Sequence, residues 1–309
     1  MNIFIGVAPI QLYQIPLIIK KNHDNNYVFI FSKKLNKSIL QIDNAEVYYY
    51  DTSNIIRNIK SLVRFKIKLN EILSNRDFNL YIPHPFHQAA NYTVFFRNPK
   101  NTFLLADGIL NYSEKKINYK DIIYMIIKKI ISILLGLNYK IYFGGLTGKE
   151  YIKYKEQIPL YLQKMDIYQN ASADDCLFLD QDLSKLNLND KIECFYDKAV
   201  KYLVERKFKK IFYKSHPSVN NENNIFINKI KKLTDIELEV IDDPSPIESV
   251  IQEYPVEEVI SFISSPLMNL KDIDEKLITV SITGEKILKE IGREELIGHF
   301  QQKGVLFYE

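Results

Sequence analysis

The chain has 309 residues, of which 46% are hydrophobic and 26% charged. That composition excludes disordered and collagen-like proteins and is long enough for two domains or one large one. A formal charge of +3 excludes the strongly basic balance of a nucleic-acid binder, and two cysteines, Cys176 and Cys194, exclude a disulfide scaffold or a multi-cysteine zinc module and leave a reducing compartment as the default.

The N-terminus lacks a basic n-region and a small-residue cleavage site, so no secretion signal is expected. Residues 2–7 read as a strand, 8–9 as a loop, and the stretch to about residue 20 as a helix, with Pro9 and Pro16 limiting any longer apolar helix. Runs at 27–32 and 46–50 predict two strands, 53–73 a helix, and 79–82 and 102–106 two further strands that end in polar loops. The most apolar stretch, 121–137, predicts a helix too short and too charged to span a bilayer, with Lys128 and Lys129 in its middle. Two readings stay open for it: packing on the domain or on a second copy in a homodimer, or docking on a membrane with Lys115, Lys116 and Lys120 facing anionic lipid.

An apolar run at 140–143 and a polar crossing segment at 149–170 follow. The second half repeats the alternation. Strands are expected at 176–179, 210–213, 238–241, 259–263 and 277–280, and helices at 190–206, 222–233, 247–253, 266–270 and 285–290. Strands alternating with helices indicate parallel βαβ units. The expected fold is α/β: two Rossmann-like domains, 1–155 and 156–309, with parallel sheets facing a central cleft. Ligands then bind beyond the carboxyl ends of the strands. The excess of Asn, Ile and Lys is attributed to AT-rich coding rather than to function.

The polar loops directly after strands are the candidates for chemistry. Asp107 and Gly108 follow the 102–106 strand, where glycine permits a turn that aims the carboxylate outward; Asn111 lies in the same loop. Ser215, His216 and Pro217 follow the 210–213 strand. An imidazole there can protonate or hydrogen-bond a departing phosphate oxygen, with Pro217 fixing the backbone. A second His-Pro, at His84 and Pro85 with His87 nearby, reads as acceptor binding or plain loop structure ahead of a metal pair. Ser264 and Ser265 precede Pro266. Ser265 is expected as the N-cap, which builds a helix N-terminus suited to phosphate. Asp180 and Asp182 offer carboxylates for a general base, and Asp242 and Asp243 offer acceptors for ribose hydroxyls. The 144–150 stretch departs from a phosphate-binding loop by one residue in spacing and by Glu150, which stands where Ser or Thr is needed, and no G-x-G-x-x-G or serine nucleophile elbow is present.

In this order, the loops resemble those of bacterial sialyltransferases of the GT-B type, and most closely glycosyltransferase family 52, the lipooligosaccharide sialyltransferase group. The strand-loop-helix ending at Gln11, the Asp107-Gly108 pair, Ser215-His216-Pro217, and Ser264-Ser265 placed 48 residues after His216 carry the resemblance. Ala106 stands where related families have a second acidic residue. The resemblance implies a CMP-sialic acid donor, a galactoside acceptor of lipooligosaccharide or capsule, and one inverting displacement with no metal or cofactor. It implies a catalytic aspartate, with Asp107 and Asp182 ranked equal and Asp180 behind, and His216 as general acid. Gln11, His84, Gly108, Asn111, Ser215, Pro217, Asp242, Asp243, Ser264 and Ser265 are implied in substrate binding. It also implies a cytoplasmic enzyme at the inner face of the bacterial inner membrane. The alternatives are another GT-B nucleotide-sugar transferase, with a related nonulosonic acid or a glucosyl donor, or a non-catalytic sugar- or nucleotide-binding module.

Overall fold

The computed structural model describes residues 1–22, 24–33, 42–74, 76–158, 165–183, 192–216, 225–233, 235–243 and 245–309. Pro217, the first residues of the predicted 190–206 and 222–233 helices, and residues 159–164 of the crossing segment lie outside them. The chain divides into two compact units, Met1–Tyr161 and Leu162–Glu309.

The first unit runs β1 (Asn2–Gly6), α1 (Pro9–Ile19), β2 (Asn26–Ser32), β3 (Ala45–Asp51), α2 (Ile55–Leu73), β4 (Asn79–Ile82), α3 (Gln88–Phe96), β5 (Asn101–Leu104), α4 (Tyr119–Leu134) and β6 (Glu156–Gln157). Its sheet is parallel, in the order β3-β2-β1-β4-β5-β6. This is the doubly wound order, in which the chain reverses direction between β1 and β4 and leaves a crevice at their carboxyl ends. The sequence of β1 shows why the strand is central. Ile3 and Ile5 pack with Phe65 and Leu69 of α2, while Phe4 packs on the other face with Ile15 and Ile18 of α1, and all three β1 side chains are fully buried. Burial on both faces requires an unbroken apolar run.

The asparagines at the amino ends of these strands have a structural use that the compositional reading missed. Asn101 Nδ2 donates to Asn79 Oδ1 (2.8 Å), Asn79 Nδ2 to Asn2 Oδ1 (3.1 Å), and Asn2 Nδ2 to Asn26 Oδ1 (3.0 Å). Asn26 Nδ2 then donates to the backbone carbonyls of Asp24 (2.7 Å) and Asn44 (3.1 Å). The residues lie in register on β5, β4, β1 and β2, so one amide ladder crosses four strands. Asn2→Ala removes the central rung and leaves the buried Asn26 Oδ1 and the part-buried Asn79 Nδ2 without their ladder partner. Urea unfolding is expected to show a loss of about 1–3 kcal/mol.

The second unit runs β7 (Ser172–Leu179), α5 (Ile192–Arg206), β8 (Lys210–Lys214), α6 (Ile225–Ile230), β9 (Glu237–Ile241), α7 (Ile247–Val250), β10 (Val256–Ser261), α8 (Ser265–Ile273), β11 (Ile278–Ser281), α9 (Gly284–Glu290), α10 (Glu295–Gln302) and β12 (Leu306–Phe307). Its parallel sheet has the order β12-β11-β10-β7-β8-β9, which repeats the topology of the first with the reversal between β7 and β10. Phe178 of β7 stacks on Phe226 of α6 at 4.0 Å and meets Phe262 edge-on at 5.7 Å. The buried Glu258 takes a 2.7 Å ion pair from Arg206 and a 2.5 Å hydrogen bond from Tyr202, so its charge is matched where water is absent.

Some elements differ from the sequence reading. Helices α3 and α10 and the short edge strands β6 and β12 were not expected. Pro16 lies inside α1 without ending it. The 140–143 run forms no regular element, and Asn91 holds the backbone of Lys140: its Oδ1 accepts from Lys140 N (2.7 Å) and its Nδ2 donates to Lys140 O (3.0 Å).

Candidate active site

In the first unit, the loops after β1, β4 and β5 converge because those strands are neighbours. Gln11, in the first turn of α1, accepts from Val7 N and Ala8 N through Oε1, both at 2.8 Å. Its Nε2 donates to Ala106 O (3.0 Å) and Asp107 Oδ1 (3.2 Å). One amide thus fastens the β1 loop to the β5 loop. Gln14, one turn further on, supports the same place: its Oε1 accepts from Ala106 N (2.8 Å) and its Nε2 donates to Ile158 O (3.2 Å). Gln14 escaped the sequence reading, although its i,i+3 spacing from Gln11 puts both amides on one helix face.

Asp107 is held by its backbone as well. Its N–H donates to Asn111 Oδ1 (2.9 Å), and Gly108 takes φ +58°, the left-handed conformation the turn needs. Its second oxygen, Oδ2, lies 3.6 Å from His84 Nε2. His84 Nδ1 accepts from Phe86 N (3.1 Å), which leaves the ring proton on Nε2, facing the carboxylate. Burial pushes the His84 pKa down; Asp107 opposes that shift and Lys128 adds to it. Both side chains keep about a sixth of their surface open, 14% and 16%. The structure therefore brings Gln11, His84, Asp107, Gly108 and Asn111 together around one carboxylate.

The loop carrying His84 is braced from two sides. Lys128 of α4 donates to Phe86 O (2.7 Å) and lies 3.5 Å over the Phe86 ring. Burial lowers its pKa to about 8, against the attraction of Asp121. Gly148, at φ +67°, packs so close that an added Cβ would meet Pro85 Cγ at 2.7 Å. The neighbouring glycines do not form a phosphate loop, since a Cβ on Gly145 would strike the carboxylate of Glu114, which accepts from Thr147 N at 2.7 Å. Gly148→Ala is expected to displace Pro85 and with it His84, lowering both stability and turnover, as thermal melts and rate assays would show.

In the second unit, Ser215 and His216 follow β8, Ser264 and Ser265 follow β10, and Asp180 and Asp182 follow the strand between them, β7. Strands two apart in a sheet are about 10 Å apart, so the imidazole loop and the serine loop flank the β7 loop at the carboxyl end of one sheet. Gln181, missed in the sequence, joins them. Its Oε1 accepts from Ile263 N (2.7 Å) and its Nε2 donates to Ile263 O, while Asp180 N donates to Lys214 O (2.9 Å).

The structure separates the two β7 aspartates. Asp180 is buried and accepts from Tyr196 OH (2.9 Å), Gln181 N (2.8 Å) and Tyr213 OH. Its oxygens anchor two tyrosines inside the unit, so it is a structural carboxylate and a poor candidate for the base. Asp182 is partly open beside it. The N-cap of α8 is Ser264 rather than Ser265, and its hydroxyl makes no capping hydrogen bond. Ser265 is the first helical residue and is buried, Pro266 follows it without an N–H, and the N–H of Leu267 donates to Ser264 O (3.2 Å), so the partly open Ser264 hydroxyl and the amino end of the helix dipole are what this turn offers an anion.

The acidic loop after β9 is likewise partly committed. Asp243 Oδ1 accepts from Ser245 N (2.6 Å), a bond that holds its pKa down, and its carbonyl accepts from Lys214 Nζ. Asp242 is exposed. Nearby, the buried Glu248 accepts from Asn269 (2.7 Å), and burial raises its pKa. Among the described residues no group of three or more His, Cys, Asp or Glu is arranged to hold a metal ion.

A sequence model of the alpha-2,8-polysialyltransferase (POLYST) family matches residues 2–280, most of both units. The chain belongs to the alpha-2,8-polysialyltransferase family. The broader resemblance to bacterial sialyltransferases agrees with that membership. No curated protein sequence matches this polysialyltransferase-family chain. Its structure is similar to that of an alpha/beta-galactoside alpha-2,3-sialyltransferase from Photobacterium phosphoreum, with a TM-score of 0.53 at 12% identity over 99% of this chain and 97% of that one. It is also similar to the UDP-GlcNAc 2-epimerase of Neisseria meningitidis (TM-score 0.54, 9% identity, 100% and 95% covered) and to that of Methanocaldococcus jannaschii (0.53, 10%, 98% and 93%). At these identities the likeness establishes the fold, which is of the GT-B type with two parallel six-stranded sheets.

Proposed function

We propose that this polysialyltransferase-family protein moves a sialyl group from a CMP-activated donor to a glycan hydroxyl in one inverting displacement. The family match across residues 2–280 carries the reading. The acceptor oxygen attacks the anomeric carbon as the bond from that carbon to the phosphate oxygen of CMP breaks. Asp107 takes the hydroxyl proton, a role supported by its fixed position: Gln11 holds the carboxylate, Asn111 holds the backbone N–H of the same residue, and the His84 Nε2 proton faces the carboxylate. His216 donates to the departing phosphate. The first turn of α8, with Ser264 and Ser265, meets the developing charge with preformed donors. CMP leaves with a single phosphate, whose charge is met by His216 and these dipoles, with no metal required. Asp242 is the ribose partner ahead of Asp243, whose carboxylate is engaged in its own turn.

The family name favours an acceptor that already ends in sialic acid. The name of the Photobacterium enzyme favours a galactoside acceptor, which is the second reading; the resemblance to family 52 implies that such a galactoside belongs to lipooligosaccharide or capsule. Purified protein incubated with CMP-N-acetylneuraminic acid and either a disialyl oligosaccharide or lactose is expected to release CMP and elongate the first acceptor faster. Elongation of lactose alone would select the second reading. Turnover of UDP-GlcNAc with none of CMP-N-acetylneuraminic acid would refute both.

A further inference from the structure

α4 carries its polarity inside out. At about 100° per residue, Asp121, Met125, Lys128 and Ser132 fall on one side of the helix. That side is the packed one: Met125 and Ser132 are buried, Gln88 Nε2 donates to Ser132 Oγ (2.9 Å), and Lys128 holds Phe86 O. The opposite stripe is formed by Ile123, Ile126, Ile127, Ile130, Ile133 and Leu134, all exposed, Leu134 to 80%. An apolar stripe of this length facing water marks a binding surface.

The charges around the stripe identify what it binds. Lys120 and Lys129 lie on its two edges and Lys116 lies just before the helix, all exposed. The one acid of the helix, Asp121, is turned away: it pairs with Lys115 at 3.2 Å and accepts from Asn118 N in the capping box. Apolar side chains between lysines, with no carboxylate among them, match acyl chains beneath anionic headgroups. Tyr119 and Tyr124, exposed at 77% and 59%, suit the headgroup level. A two-fold contact between copies through the same stripe would set one lysine rim against the other. No helix among the described residues is long and apolar enough to cross a membrane, so a bound α4 lies along the surface.

We infer that the outer face of α4 docks on an anionic lipid bilayer, with its isoleucines and Leu134 among the acyl chains and Lys116, Lys120 and Lys129 on the headgroups. The inference stands whether or not the protein is a transferase. The full chain is sedimented with phosphatidylcholine vesicles, with and without phosphatidylglycerol, and its oligomeric state is measured by light scattering. Binding is expected only with phosphatidylglycerol and is expected to weaken with salt. The triple variant I126S/I130S/L134S changes exposed positions alone, so it keeps its melting behaviour and loses binding by at least about tenfold; K120E/K129E weakens it by about tenfold or more. Wild-type protein that stays in the supernatant, or a triple variant that binds as well as wild type, would overturn the inference. So would a triple variant that only converts a dimer to a monomer.

Discussion

Asp107→Asn is expected to slow sialyl transfer by a factor of about 10²–10⁴ while leaving the fold intact, the usual cost of losing a general base. The amide keeps the shape of the carboxylate but cannot take a proton. The backbone of residue 107 stays tied to Asn111, and Gln11 still holds Ala106 O, so the loop has no reason to move. The loss therefore falls on kcat, with KM and the melting temperature close to wild type. Asp182→Asn is the internal comparison, because the sequence ranked the two aspartates equally. A large rate loss in Asp182→Asn with a small one in Asp107→Asn would move the base to the β7 loop. Asp180→Asn is expected to behave differently from both. It disturbs the bonds from Tyr196 and Tyr213, so the melting temperature falls along with the rate.

His87 is expected to set much of the acid sensitivity of the fold. Its ring meets Phe31 at 4.6 Å, and its Nδ1 is buried without a hydrogen-bond partner. Burial, with Lys128 and His84 adding to it, lowers its pKa from the ordinary 6.5 to about 3. In the unfolded chain the imidazole binds a proton below pH 6.5, whereas the folded protein resists it until about pH 3. The unfolded state thus holds the extra proton across that window, and stability falls as the pH drops through it. The shift corresponds to at most about 5 kcal/mol, and to less because the residue is only partly enclosed. His84, lowered for the same reason, acts in the same direction. His87→Phe keeps the contact with Phe31 and removes the titration. Guanidinium unfolding of the variant is expected to lose less stability than wild type between pH 6.5 and 4. An unchanged acid limb would show that other groups carry it.

The strands were legible because their apolar runs are continuous: a strand buried on both faces, as β1 is by Ile3, Phe4 and Ile5, leaves no other pattern. The candidate loops were legible because parallel sheets deliver their ligands at strand ends. Three kinds of feature were not. Short edge strands such as β6 and β12, of two residues each, bury too little to leave a periodic signal. Side chains that saturate backbone, such as Asn91 at Lys140 and Gln181 at Ile263, act across 49 and 82 residues, and no local window shows them. The asparagine ladder depends on register between strands, which composition cannot express, so four buried or half-buried amides read as coding bias. α4 shows the same limit from the other side. Its apolar pattern was plain, but only packing distinguishes an inward stripe from an outward one.

A crystal structure with bound CMP tests the proposed donor site in the second unit most directly. The phosphate is expected on the first turn of α8, within hydrogen-bond reach of Ser264 or Ser265, with the His216 ring on its other side. CMP seated elsewhere, or its phosphate held away from both α8 and His216, would contradict it.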